Sequence, residues 1–249
     1  MRILVVNVNT TEAMTEAIRL QAKASADPET EVIALTPFIG PASCEGNFDS
    51  YLAAVAVMDR VINYEGRYDA VVQAGFGEHG REGLQELLTV PVVDITEAAA
   101  HVASLIGRRY SVITTLDRAV PLIEDRLLLA GLERRCASVR STGLGVLELE
   151  QDPARTIEAI RKQASLAVSD DRAEVICLGC AGMAGLDEKI AAVLHVPVVD
   201  GVAAAVKLVE ALHGLRLATS KVRTYAPPRA KTIAGWPLTR RTGGGPPLP

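Results

Sequence analysis

Cys180 has the strongest claim to chemistry, in the stretch Leu178-Gly-Cys-Ala-Gly-Met183. It follows an apolar run, Glu174–Gly179, with the pattern of a buried strand, and precedes a segment that reads as a helix starting near Met183. A thiol at such a junction feels the positive end of the helix dipole and free N–H groups, which lower its pKa and fit it for acid/base or nucleophilic work. The small neighbours Gly179, Ala181 and Gly182 let a substrate approach the backbone, whose N–H groups stabilise an oxyanion or enolate. The competing reading is a buried structural cysteine, which is how most free cysteines behave.

Cys177 and Cys180 form Cys-x-x-Cys, a spacing used by redox and zinc sites. Cys177 falls within the strand, however, and no second Cys or His pair stands at ligand spacing, so no metal is expected. A second glycine-rich turn, Gly75-Phe76-Gly77-Glu78-His79-Gly80, matches G-x-G-x-x-G with Asp94 beyond it. A dinucleotide fingerprint belongs to the first strand of its unit, whereas this turn follows the third, so no cofactor is expected there either. Within that turn His79, beside Glu78, is the histidine placed to reach a cleft. His101, His195 and His213 fall in or beside predicted helices as surface or packing residues. Asn7-Val8-Asn9-Thr10-Thr11 and Thr114-Thr115 end two further strands, and each serves either as a helix cap or as substrate-binding polar groups. The sequence has no G-x-S-x-G elbow and no Walker motif.

Eight apolar runs would position these residues: Arg2–Val8, Glu31–Thr36, Tyr68–Ala74, Val90–Val93, Tyr110–Thr115, Cys136–Ser141, Glu174–Gly179 and Val196–Val199. Amphipathic segments alternate with them. One runs from Asp49 to Tyr64, with Leu52, Val55, Met58 and Ile62 at helical spacing, and another from Val120 to Ala130, stopped by Gly131. Strand–helix alternation predicts parallel sheets flanked by helices. The pattern also repeats. Pro91-Val-Val-Asp94 recurs as Pro197-Val-Val-Asp200 at an offset of 106, and Ile3–Asn7 matches Tyr110–Thr114 at an offset of 107. Each Pro-Val-Val-Asp is preceded by a strand and a glycine-rich turn, one holding Gly75 and the other Cys180. The expected architecture is therefore α/β with two pseudo-symmetric lobes. Lobe 1 spans residues 1–95 plus about 205–228, and lobe 2 spans 96–204. Ligands of parallel α/β units bind at the carboxyl ends of the strands, so the site should lie between the lobes.

Composition narrows the function classes. The 249-residue chain is 49% hydrophobic but only 4% aromatic, and its net charge is −4. With no basic face, it lacks the phosphate-neutralising surface that nucleic-acid binding needs. No run approaches the length of a membrane span. The N-terminus lacks a signal-peptide pattern, so the four cysteines read as reduced thiols in a cytoplasmic protein. The segment from Ala226 holds six of the thirteen prolines and Gly243-Gly-Gly245. Residues 229–249 are accordingly expected to be disordered or docked on a partner subunit, with Trp236 as a possible docking residue.

The sequence resembles the aspartate/glutamate/hydantoin racemase superfamily, and most of all its hydantoin/allantoin racemase branch. The resemblance is carried by Arg2-Ile-Leu-Val-Val-Asn-Val-Asn-Thr-Thr11, Gly40-Pro-Ala-Ser-Cys-Glu-Gly46, Leu178-Gly-Cys-Ala-Gly-Met183, Pro197-Val-Val-Asp200 and Thr219-Ser-Lys221. It implies cofactor-free proton transfer next to a carbonyl of a small-molecule substrate by two cysteines on opposite faces, in a homo-oligomer. Cys180 matches the second cysteine. Gly75 stands at the place of the first, and Val8 at the place of the family's proline. A water, His79 or Glu78 then becomes the candidate second acid/base. Asn9, Thr10, Gly75, Phe76, Gly77, Thr114, Thr115, Ala181, Gly182 and Met183 are the candidate substrate-binding residues. A one-cysteine isomerase or decarboxylase and a non-catalytic binding protein are the alternatives on the same scaffold.

Overall fold

The computed structural model describes residues 1–233; the glycine-rich end of the tail and Trp236 lie outside the described residues. In chain order the elements are β1 (Arg2–Asn7), α1 (Glu12–Ser25), β2 (Glu31–Leu35), α2 (Asn47–Ile62), β3 (Ala70–Ala74), α3 (Arg81–Leu87), β4 (Val92–Asp94) and α4 (Ile95–Ile106). There follow β5 (Tyr110–Thr114), α5 (Val120–Leu129), β6 (Cys136–Ser141), α6 (Glu148–Gln151), α7 (Pro153–Ser169), β7 (Val175–Leu178), α8 (Asp187–Leu194), β8 (Val198–Asp200) and α9 (Gly201–Gly214). All eight strands stand where the apolar runs placed them, within two residues at each end.

They form two four-stranded parallel sheets of matching order, β2-β1-β3-β4 and β6-β5-β7-β8. The central strands are apolar throughout because both faces are covered. Successive residues of β1 serve different layers: Ile3 and Val5 face a core shared by both lobes, while Leu4 and Val6 face α2 and α3. In β7, Val175 and Cys177 face the shared core and Ile176 and Leu178 the outer layer under α7 and α8. Burying each such Val, Ile or Leu contributes about 1.5–3 kcal/mol.

Helices α4 and α9, the two that follow the repeated Pro-Val-Val-Asp, pack against each other between the sheets. Their facing residues are small, with Ala98, Ala99, Ala103, Ala204 and Ala205 all buried. A Cβ on Gly201 would lie 2.8 Å from the Ile95 carbonyl oxygen, so glycine is what lets the two helix starts touch. Each helix is capped by its aspartate. Asp94 accepts from the amides of Thr96 and Glu97, and Asp200 from those of Val202 and Ala203. Thr219 and Lys221 then tie the chain back to the first lobe, the Lys221 ammonium donating to the carbonyls of Gln85, Glu86 and Leu88 at the end of α3.

Two local expectations need correction. The buried residues of α2 are Ser50, Ala53, Ala56, Val57, Val61 and Ile62, so of the four apolar residues at helical spacing Ile62 is buried, Val55 and Met58 are half-buried and Leu52 is exposed. After Cys180 comes a single 3-10 turn, Ala181–Met183, and α8 begins only at Asp187. Cys180 therefore caps one short turn and has no long helix dipole behind it.

Candidate active site

The parallel registers bring four turns to one level. Asn7 pairs with Ala74, so the turns after β1 and β3 emerge side by side, and Ile113 pairs with Leu178, which does the same for the turns after β5 and β7. Between them lies a cavity of about 40 Å³, whose walls include Asn7, Asn9, Gly75, Phe76 and His79 from lobe 1 and Thr114, Thr115, Gly179, Cys180 and Ala181 from lobe 2. No Asp, Glu, Lys or Arg is among the described residues that line it. The titratable side chains among these lining residues are the thiols of Cys44 and Cys180 and the imidazole of His79.

Cys180 accepts a contact from the Gly182 amide at 3.4 Å. Burial pushes its thiol up to about 11, with Glu45 and Glu150 adding to the rise and the Gly182 N–H opposing it. The depressed pKa anticipated from a helix start is thus replaced by a protonated thiol, because burial outweighs one N–H donor. Cys177 is buried on the core side of β7 with its sulfur near the Ala99 carbonyl, apart from the cavity. Among the described residues no three His, Cys, Asp or Glu are grouped to hold a metal ion.

His79 is 5% exposed, and its Nδ1 has no hydrogen-bond partner among the described residues. Burial pushes its pKa down to about 4 against smaller upward pulls from the Gly77 carbonyl and Asp94, and Arg126 also lowers it. The imidazole is therefore neutral near pH 7. Glu78, its neighbour, is not part of the cavity wall. Its Oε1 accepts from the Gly80 amide at 2.7 Å and its Oε2 from Arg126 at 2.9 Å. Arg126, on α5 and itself buried, also reaches Glu82, Asp94 and Glu97, so it joins the lobes through a cluster of carboxylates of which Asp94 is buried and Glu78 and Glu82 are partly exposed.

The remaining candidates divide. Asn9 lines the cavity, though its side chain is engaged: Oδ1 accepts from Asn7 and from the Thr11 amide, and Nδ2 approaches the Met14 sulfur. Thr10 does not line it. Its amide and hydroxyl both donate to the Pro41 carbonyl and anchor the loop before α2. Thr114 donates to the Gly179 carbonyl at 3.2 Å, tying two lobe 2 turns together. The Gly77 amide is engaged by the Thr96 hydroxyl, the Gly182 amide by the Cys180 sulfur and the Met183 amide by the Cys180 carbonyl. Gly75, Phe76, Gly179 and Ala181 are the residues of the two glycine-rich turns that, with His79 and Cys180, line the cavity.

Cys44 was missed as a site residue. It lines the same cavity, its thiol donating to the Val8 carbonyl at 3.4 Å, and burial pushes it up to about 12. It sits in the irregular stretch between β2 and α2, and its only sequence signal was membership of Gly40-Pro-Ala-Ser-Cys-Glu-Gly46. The adjacent Glu45 crosses to lobe 2, its Oε1 accepting from the Val146 amide at 2.8 Å.

Comparison with known proteins agrees with this geometry. A family model described as Asp/Glu/hydantoin racemase matches residues 3–209. A hydantoin racemase from Pseudomonas sp. is 40% identical over 94% of this chain and 95% of its own, and one from Rhizobium meliloti is 43% identical over 94% and 98%. The crystal structure of an allantoin racemase from Pseudomonas fluorescens superposes with a TM-score of 0.93 at 66% identity, covering 94% of this chain and all of that one. An arylmalonate decarboxylase at 20% identity and a TM-score of 0.58 shares the fold. By sequence and by fold the chain belongs to the Asp/Glu/hydantoin racemase family, and it is an isomerase of the racemase type.

Proposed function

We propose that the protein is a cofactor-independent racemase of a cyclic ureide, a 5-substituted hydantoin or allantoin, in which Cys180 moves a proton at the carbon beside the ring carbonyl. The observation that carries this reading is the Cys180 thiol at the wall of a small cavity without charged residues, in a chain 66% identical to an allantoin racemase. The C5–H of such a ring is acidified by the adjacent carbonyl, so a positioned acid/base suffices, contributing about 10²–10⁴-fold. The amides of Gly75, Phe76 and Ala181 would hold the carbonyl oxygens on which enolate charge develops. An uncharged wall excludes competing ion pairs and suits a neutral ring. The reading includes residence in the cytoplasm and a homo-oligomeric assembly.

The test is to follow the optical rotation of single enantiomers of allantoin and 5-methylhydantoin with wild type and Cys180→Ala. Loss of rotation with wild type and at least a hundredfold slower loss with the variant is the expected result. Equal rates would remove Cys180 from the mechanism. Gly75, which offers no proton on the opposite wall, favours a second reading, a one-sided isomerase or decarboxylase. Deuterium exchange with full retention of configuration, or release of CO₂ from a malonate-type acid, would select it.

A further inference from the structure

Helix α2 carries apolar residues on two faces, and the fold covers only one of them. Ala53, Ala56, Val57 and Val61 are buried, whereas Phe48 is 72% and Tyr51 68% exposed, and Leu52 is exposed too. Phe48, Leu52 and the half-buried Val55 stand four and three residues apart, so they share one side of the helix. The loop ahead of α2 runs along it and adds to the same surface. Its Phe38 is 77% exposed and Ile39 is exposed, the Arg60 guanidinium of α2 stands 4.4 Å over the Phe38 ring, and a Cβ on Gly40 would lie 3.1 Å from that of Ala56. A helix that is apolar all round belongs in an interior. We propose that this face, from Phe38 to Val55, is the docking surface for a second copy of the chain, joined about a two-fold axis. The inference rests on the homo-oligomer included in the racemase reading and names the surface that forms it.

Composition, rigidity, area and shape favour this occupant. The chain has only three phenylalanines, and two of them stand here, outside the core. Aromatic residues are what the centres of protein interfaces concentrate. Phe38 is also held in place before any partner arrives, because Arg60 above it donates from Nε to the Thr36 carbonyl at 2.9 Å. Aromatic side chains bury about 150–250 Å² each when covered, so the three rings leave on the order of 400 Å² open. A standard interface takes roughly 800 Å² from each partner, about three-fifths of it apolar. The rings together with Ile39, Leu52 and Val55 supply that apolar share. Glu45 and Asp49 are the charged residues between Phe38 and Val55, and both are engaged within the chain. Asp49 accepts from the Glu45 amide at 3.1 Å and Glu45 from the Val146 amide at 2.8 Å, which lowers the repulsion between two identical faces. The face is self-complementary in size as well. Its rings lie at the N-terminal end of α2 and the smaller Val55 further along. Antiparallel packing about an axis near Leu52 therefore sets Phe48 of one copy over the partner's Val55, and the reverse.

The experiment is sedimentation velocity and light scattering of the full chain over a range of concentrations, without substrate. Wild type should have a mass of at least two chains. The double variant Phe48→Lys/Leu52→Lys changes exposed positions, so its far-UV spectrum should be unchanged while association weakens about a hundredfold or more. Leu52→Cys, near the axis, should form a covalent dimer when oxidised with copper phenanthroline, and wild type with its four native cysteines should not. A wild type of single-chain mass, a double variant that associates as wild type does, or a Leu52→Cys protein that cross-links no more than wild type overturns the proposal. A wild type that dimerises only after residues 234–249 are removed would give the face to the chain's own C-terminal segment, and overturns it too. Optical rotation of single allantoin enantiomers in the same preparations keeps the two readings apart. Racemisation by a single-chain wild type sinks the interface alone, and a dimeric wild type without racemisation sinks the racemase reading alone.

Discussion

Arg126 Nη1 on α5 of lobe 2 donates to Glu78 Oε2 in the lobe 1 turn at 2.9 Å, directly next in sequence to His79. The guanidinium is 2% exposed and also meets Glu82, Asp94 and Glu97, so it anchors the turn from outside the cavity. Burial opposes ionisation of Glu82, yet hydrogen bonds from Arg81 and Arg126 hold it down at about 2.

Arg126→Leu should therefore destabilise the protein by about 1–3 kcal/mol, since it removes a buried partner of Asp94 while Arg81 still pairs with Asp94, Glu82 and Glu97. Glu78→Gln keeps one oxygen acceptor in place of two, so either Gly80 or Arg126 loses its bond to this side chain, and it should cost about 1–3 kcal/mol. Urea unfolding checks both.

Gly75→Ala puts a methyl 2.4 Å from Val8 Cγ1, and Val is stiff at χ1. The substitution should cost about 1–3 kcal/mol through overpacking. Adding Val8→Ala should recover part of that loss, whereas a surface alanine substitution elsewhere should not. Thermal melts of the three variants decide it.

His79 gives the acid limb of stability a definite sign. Its folded pKa of about 4 lies below the unfolded value of 6.5, so unfolding takes up a proton between those values. Stability is fully present above pH 6.5 and falls as pH drops towards 4, by up to about 3 kcal/mol. Groups facing the ring include Asp94 and Arg126. His79→Asn should flatten this part of the curve of melting temperature against pH.

Cys180 and Cys44 act at the other end, with folded pKa values near 11 and 12 against 9.0. Stability should decline as pH rises above 9, because unfolding then releases protons. At pH 8 iodoacetamide should label Cys180 roughly a hundredfold more slowly than an ordinary thiol, accelerating up to about pH 11. Peptide mass spectrometry reads this directly, and rapid labelling at pH 7 would contradict a protonated resting thiol.

The strands were legible because buried parallel strands are continuous apolar runs between turns, as in Ile3–Val6 and Val175–Leu178. The repeat of Pro-Val-Val-Asp was legible for a related reason: each aspartate must cap a helix at the same point of two matching sheets. What escaped was decided across distance. Arg126 meets its carboxylates 29 to 48 residues away in sequence, and nothing periodic in α5 announces that. Cys44 reaches the cavity only because Thr10 and Thr11 hold its loop through the Pro41 and Ala42 carbonyls. The direction of the Cys180 shift depended on burial by both lobes, which no local pattern records.

The shared strand order carries one more consequence. A racemase must serve two mirror-image substrates, and two equivalent walls facing each other give each mirror form a wall of its own. With Cys44, Gly75 and His79 on one wall and Cys180 on the other, the two halves have kept their frame and diverged in the side chains they present to the cavity.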